Sequence, residues 1–184
     1  FGWITLSVLI LVFIFTGSII LPIKAVLLNV LSLAATMGVL TWVFIDGNLR
    51  WLVGDFTLTG SVDTSIVILI AVVVFGLSMD YELFLLSRIR EEHLQGRSNI
   101  ESVATGLQRS ARIITAAAVL LAVVFAAFVT SGVTSIKSMG FGVALAVILD
   151  ATVIRALLVP ALMRLFGERN WWAPKSLQRF TLKH

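Results

Sequence analysis

The sequence predicts an all-α, polytopic transmembrane helix bundle with five spans, on three observations. Hydrophobic residues make up 59% of the 184 and charged residues only 13%, against roughly 25% charge in soluble domains. A soluble domain of this size could not cover its surface with so few charges. Stretches approaching the about 20 apolar residues that cross a bilayer recur along the chain, and eleven of the fourteen Lys and Arg gather in one set of alternate connections. This composition excludes a cytosolic enzyme, a disordered tail and a disulfide-stapled secreted module. With no cysteine, there is neither a disulfide framework nor a Cys-based metal site.

The first span, residues 1–16, opens on Phe1 inside an apolar run with no basic residue ahead of it. That is expected of a piece cut inside or just before a membrane span, not of a signal peptide. Gly17, Ser18 and Pro22 mark a tight connection to the second span, 21–45. A polar stretch follows over 46–63. The third span is 64–86, the fourth 113–130 and the fifth 138–163, so that residues 1–166 form the bundle. In the polar segment between spans three and four, Ser98-Asn99-Ile100-Glu101 reads as a capping box. Ile100, Val103, Ala104 and Leu107 share a helical face, so a short cytoplasmic connector helix is expected over about 98–112. Residues 167–184 read as an interfacial tail, with Trp171 and Trp172 at headgroup level before Pro174.

One set of connections carries Lys24, Arg88, Arg90, Arg97, Arg109, Arg112, Arg164, Arg169, Lys175, Arg179 and Lys183; the other carries only Arg50 and Lys137. The excess of Lys and Arg marks the cytoplasmic side. The expectation is a multi-pass protein of the plasma membrane, with the Arg88–Arg112 segment and the C-terminus cytoplasmic and the N-terminus outside. The same asymmetry accounts for the net charge of +4 without a nucleic-acid partner.

Three charges fall where charge is costly, at least about 2.5–3.5 kcal/mol near the bilayer centre: Asp80 in span three, and Asp150 and Arg155 in span five. Asp80 lies roughly 22 Å along its helix from Ser65, and Asp150 roughly 18 Å from Ser138. Gly76, Phe84, Ser87 and Arg88 share the Asp80 face, Gly142 and Ala146 precede Asp150, and span four places Ala118, Ala122 and Ala126 every fourth residue. Small residues let helices approach closely, so spans three to five are expected to pack with both acids turned inward. A buried acid that is reached by water can gain and lose a proton, which a proton carrier requires. Tyr81, about 100° from Asp80, is placed to serve an acid on another span. Plainer readings stand beside these. Asp150 can simply be paired with a polar group on span three or four, such as Thr115. Arg155, five residues after Asp150, is poorly placed for an α-helical pair and reads as a snorkelling side chain. Glu82 falls on the face opposite Asp80 and is left out of the site.

His93 and His184 lie in polar segments, and no phosphate loop, catalytic triad or zinc spacing occurs. No cofactor, metal or enzymatic activity is therefore expected.

The string Phe75-Gly76-Leu77-Ser78-Met79-Asp80-Tyr81-Glu82-Leu83-Phe84-Leu85-Leu86-Ser87-Arg88 closely resembles the signature of the MMPL (mycobacterial membrane protein large) transporters of the resistance-nodulation-division superfamily. So do Ile114-Thr115-Ala116-Ala117-Ala118, Leu149-Asp150-Ala151-Thr152-Val153 with Arg155, Leu158-Val159-Pro160, and Asn170-Trp171-Trp172-Ala173-Pro174. Leu21-Pro22-Ile23-Lys24-Ala25 and Leu27-Leu28-Asn29 fit the same region. The resemblance implies spans eight to twelve of a twelve-span exporter of lipids or other hydrophobic compounds, driven by the proton-motive force. It implies that Asp80 and Tyr81 are the proton relay of the second half and that Phe84 lines the neighbouring cavity, with Gly76 and Asp150 in support. It also implies that span seven, both porter domains and the N-terminal half, with its matching Asp-Tyr pair, are the missing partners of this piece. Two other readings remain: a non-transporting scaffold or sterol-sensing-like domain of the same architecture, and an intramembrane protease using Asp80 and Asp150. The transport reading rests on Asp80 being enclosed among helices.

Overall fold

The computed structural model describes residues 2–56 and 63–172. Pro174 and the basic residues Lys175, Arg179 and Lys183, on which part of the tail and orientation readings rests, lie outside the described residues, as does His184.

Among the described residues every regular element is a helix. Helix α1 spans Gly2–Thr16, α2 Ile20–Phe44, α3 Arg50–Val53, α4 Thr64–Leu94, α5 Asn99–Ala127 and α6 Thr134–Leu149. The chain then continues through a π-helical stretch, Asp150–Leu158, into α7, Val159–Phe166. Four helical runs are long and apolar enough to cross a membrane, Ile20–Phe44, Thr64–Leu94, Asn99–Thr130 and Thr134–Trp171, with α1 a shorter apolar helix. Their outer surfaces are apolar as well. On α5, Ile113, Val119, Leu120 and Val123 are all more than half exposed, which suits contact with lipid and not with water.

Local signals set the helix ends. Gly17 adopts φ 66°, a left-handed conformation that only glycine takes at low cost, and turns the chain from α1 into α2. Asp63 caps α4 by accepting from the Ser65 N–H at 2.8 Å. The capping box at α5 forms as expected, with Ser98 accepting from the Glu101 N–H and Glu101 from the Ser98 N–H. It does not start a separate connector, however. Nothing between Asn99 and Ala127 breaks a helix, so the polar first turns and the apolar span are one rod of 29 residues. In the same way α4 runs on past 86 to Leu94.

Close backbone approach holds the rods together. A Cβ at Gly106 would lie 2.9 Å from the Ile89 Cα, and one at Gly140 would lie 2.6 Å from the Phe125 carbonyl oxygen. Glycine is thus what lets α4 meet α5 and α5 meet α6. Gly142 similarly faces Leu40 and Ile70, bringing α6 onto α2 and α4.

The packed interior holds two large apolar cores. One holds Leu40, Val43, Phe44, Ile70, Val74, Val143, Ala146 and Val147. The other holds Val12, Leu21, Leu28, Leu85, Leu86, Ile89, Ile154, Val159 and Met163. Along α4 the first ends near Val74 and the second begins at Leu85; along the last span the break lies between Val147 and Ile154. Buried polar side chains occupy both gaps, and on α4 they sit beside Phe75 and Met79, which pack with Ala25 in a small third cluster.

Polar clusters also close the two ends. At one end Ser18 donates to the Asn170 carbonyl, Lys24 to the Asn170 side-chain oxygen, and Arg90 to the Phe15 carbonyl. Glu92, almost fully buried, pairs with Arg97 and Arg109. At the other end Lys137 donates to the carbonyls of Val53 and Asp55, each at 3.0 Å. Lys24, Arg90, Arg97 and Arg109 of the larger basic set thus lie at the end opposite Lys137. The two tryptophans differ from the shared anchoring role. Trp171 stacks on His93 at 4.2 Å and donates to Asn99, while Trp172 points outward, 58% exposed.

Candidate functional site: a charged layer between two cores

The gap between the cores is filled by Ser78 and Glu82 from α4 and by Asp150 and Arg155 from the π-helical stretch, each at most 5% exposed. Asp150 accepts from the Ser78 hydroxyl at 2.7 Å and from Arg155 Nε at 2.7 Å. A second nitrogen, Nη2, lies 2.6 Å from the same Asp150 oxygen and also donates to the Ser78 carbonyl. The guanidinium carbon sits 5.0 Å from the centre of the Tyr81 ring, within cation–π range. Leaving a buried charge unpaired costs several kcal/mol, and this arrangement shares the compensation among an ion pair, hydrogen bonds and a ring face.

The pairing of Asp150 with Arg155 corrects two expectations. Arg155 does not snorkel; it is among the largest fully buried side chains. In an α-helix, residues five apart diverge, which is why the pair looks unfavourable in the sequence. From Asp150 to Leu158 the helix is π, with bonds from i to i+5, and that wider turn brings residues five apart onto one face. The polar partner of Asp150 on the neighbouring spans is Ser78, not Thr115, which is exposed.

Asp80 differs as well. It is exposed, together with Gly76 four residues before it, and nothing lies within 4 Å of where a Gly76 Cβ would be. The two acids therefore do not share one interior within this chain. The roughly 200° between Asp80 and Glu82 stands, but the faces are exchanged: Glu82 points into the bundle, 3% exposed. The helical neighbours explain it, since Leu85 and Ile89 continue the Glu82 face into the second core and Ser78, a turn before, is buried with it. Tyr81 stands between the two, half-buried.

Tyr81, Ser78 and Asp150 border a narrow cleft of about 10 Å³ walled by Ala118, Ala146 and Ala151, about room for one water. Phe84 lines a different groove, of about 470 Å³, with Phe15, Ser87 and the charged end of α4. Asp80 and Asp150 do not form a protease-like pair, because Asp150 is engaged by Ser78 and Arg155 while Asp80 is on the outside. Among the described residues no cluster of His, Asp and Glu could hold a metal.

The described helices form a membrane-type bundle with a charged layer buried between two large apolar cores, and ionisable groups held at such depth mark functional sites. The chain matches the MMPL family over residues 2–181, and it belongs to that family. It is 46% identical over 174 residues to the trehalose monomycolate exporter MmpL3 of Mycobacterium tuberculosis, covering 94% of this chain and 18% of the relative. It is 42% identical over 179 residues to the mycolic acid-containing lipids exporter MmpL11 of Mycolicibacterium smegmatis, covering 97% of this chain and 19% of the relative. A membrane protein of Streptomyces coelicolor is 49% identical over 181 residues, 96% of this chain and 26% of that protein. The chain thus spans about a fifth to a quarter of the length of these relatives.

Proposed function

We propose that this chain is the C-terminal membrane portion of a proton-motive-force-driven exporter of lipids or other hydrophobic compounds, with Asp80 and Tyr81 as its proton relay. The basic end of the bundle and the C-terminus face the cytoplasm on this reading. The observation that carries it is the contact of Tyr81 with Arg155, which ties the Asp80-Tyr81 pair to the buried Asp150 ion pair and, through it, to the π-helical stretch. A protonation change at the outer pair alters the field on Arg155, and Arg155 is held by both α4 and the last span. One proton moving down the membrane potential supplies about 2.3 kcal/mol per 100 mV, enough to bias two packings of a helix bundle.

The exposure of Asp80 fits this reading only when the rest of the polypeptide covers it. The length of the relatives supports such a cover, and helices of an N-terminal half with a matching acid and tyrosine are the expected source. The names of the relatives support a lipid cargo. A scaffold or sterol-sensing-like domain would leave the charged layer without a task.

Asp80→Asn in the complete protein tests the proposal. Export should be abolished while expression and folding stay near normal, and Tyr81→Phe should impair export to an equal or smaller degree. Proton-dependent export retained by Asp80→Asn would refute the relay.

A further inference from the structure

The charged layer does not balance. Glu82 and Asp150 are two buried carboxylates, and both act electrostatically on the same neighbourhood as a single guanidinium, that of Arg155. The other cations of the packed helices are engaged elsewhere: Lys24 of α2 bonds Asn170 and the Leu162 carbonyl, and Arg109 of α5 pairs with Glu92. Arg112 is exposed, and α1 has no titratable side chain. With every group ionised, the layer holds one excess negative charge in a low-dielectric interior, a costly state. Arg155 meanwhile has a buried Nη1 with no hydrogen-bond partner among the described residues. A donor is left over on the cation, and a proton is lacking among the anions.

We propose that Glu82 is a second proton-holding acid of this bundle, exchanging its proton with water admitted past Tyr81 and competing with Asp150 for Arg155. This rests on the export reading above. On uptake, a hydronium ion gives its proton to a Glu82 carboxylate oxygen, leaving water and a neutral acid. Arg155, still protonated, then has Asp150 as its one acidic partner, as its two short contacts to the Asp150 oxygen describe. On release, the proton returns to water and the Glu82 carboxylate claims the free Nη1. That second claim weakens the grip on Asp150, the first residue of the π-helical stretch, and replaces part of a contact within the last span by one between Arg155 and α4. Asp80, Tyr81 and Glu82 are consecutive and run from exposed through half-buried to buried. The order lays out a radial path for the proton from the outer acid to the inner one.

Infrared difference spectra of the complete protein in liposomes, recorded across a pH titration, test the assignment. A protonated-carboxyl stretch should appear as pH falls, shift when glutamate carries ¹³C in its carboxyl, and vanish in Glu82→Gln. In Glu82→Asp it should persist but lose its response to labelled glutamate, and this variant decides the matter should Glu82→Gln fail to assemble. A band indifferent to the glutamate label, or one unchanged in Glu82→Gln, overturns the proposal. Failure of the export reading looks different: the band titrates in the unsubstituted protein, confirming Glu82 as a proton holder, while no substrate-driven proton flux is found.

Discussion

At the scale of single residues the charged layer is where small changes should cost most. Asp150→Asn removes the anion facing an almost fully buried guanidinium, and breaking a buried pair costs about 3–5 kcal/mol. Thermal unfolding of the complete protein in detergent should show that loss for Asp150→Asn and for Arg155→Met alone. Asp150→Leu with Arg155→Met removes both charges and should recover much of the stability, since apolar replacements of buried pairs are often neutral or better. Export should stay absent in the double variant. A double variant no more stable than the singles would show that the ion pair is not the main interaction of these side chains. The sequence made Asp150 legible as an acid bonded to its neighbours, but not Glu82. Helical phase fixes the angle between Asp80 and Glu82; it does not say which of the two faces other helices will cover.

At the scale of elements, glycine contacts and the π-helical stretch set the geometry. Gly106→Ala places a methyl against the Ile89 backbone, where neither helix can yield by a side-chain rotation alone. Overpacking of this kind costs about 1–3 kcal/mol, and unfolding measurements on Gly106→Ala should show a loss in that range. Gly96→Ala at the α4–α5 turn meets no atom but needs φ 86°, so its cost comes from backbone strain instead. An equal stability in Gly106→Ala and the unsubstituted protein would contradict the close approach. Helix positions were readable from hydropathy and capping, including the Ser98 box. The π stretch was not. Its sequence, Asp150 to Leu158, carries no glycine or proline, and what marks it is the tertiary demand that Asp150 and Arg155 reach the same partner, Ser78.

For the whole molecule, the face of α4 that carries Gly76 and Asp80 decides the packing. Within the chain this face is bare, whereas the export reading has it covered by other helices of the same polypeptide. Gly76→Leu should therefore leave the packing of this chain undisturbed yet destabilise the complete protein and impair export. Small residues are what permit close helix approach in membranes. Normal stability and export by the complete Gly76→Leu protein would mean that the face meets lipid. Composition and the placement of basic residues made the membrane class legible from the start. The exposure of Asp80 was not legible, because it depends on which face of α4 the neighbouring helices cover.

Proton coupling through position 80 is most directly tested by measuring substrate-dependent proton flux with the complete protein in liposomes, for the unsubstituted protein beside Asp80→Asn. Flux that requires cargo, and that disappears in Asp80→Asn while the protein remains inserted and folded, is the predicted result. Equal flux from both proteins, or cargo movement in both without any proton movement, would contradict it.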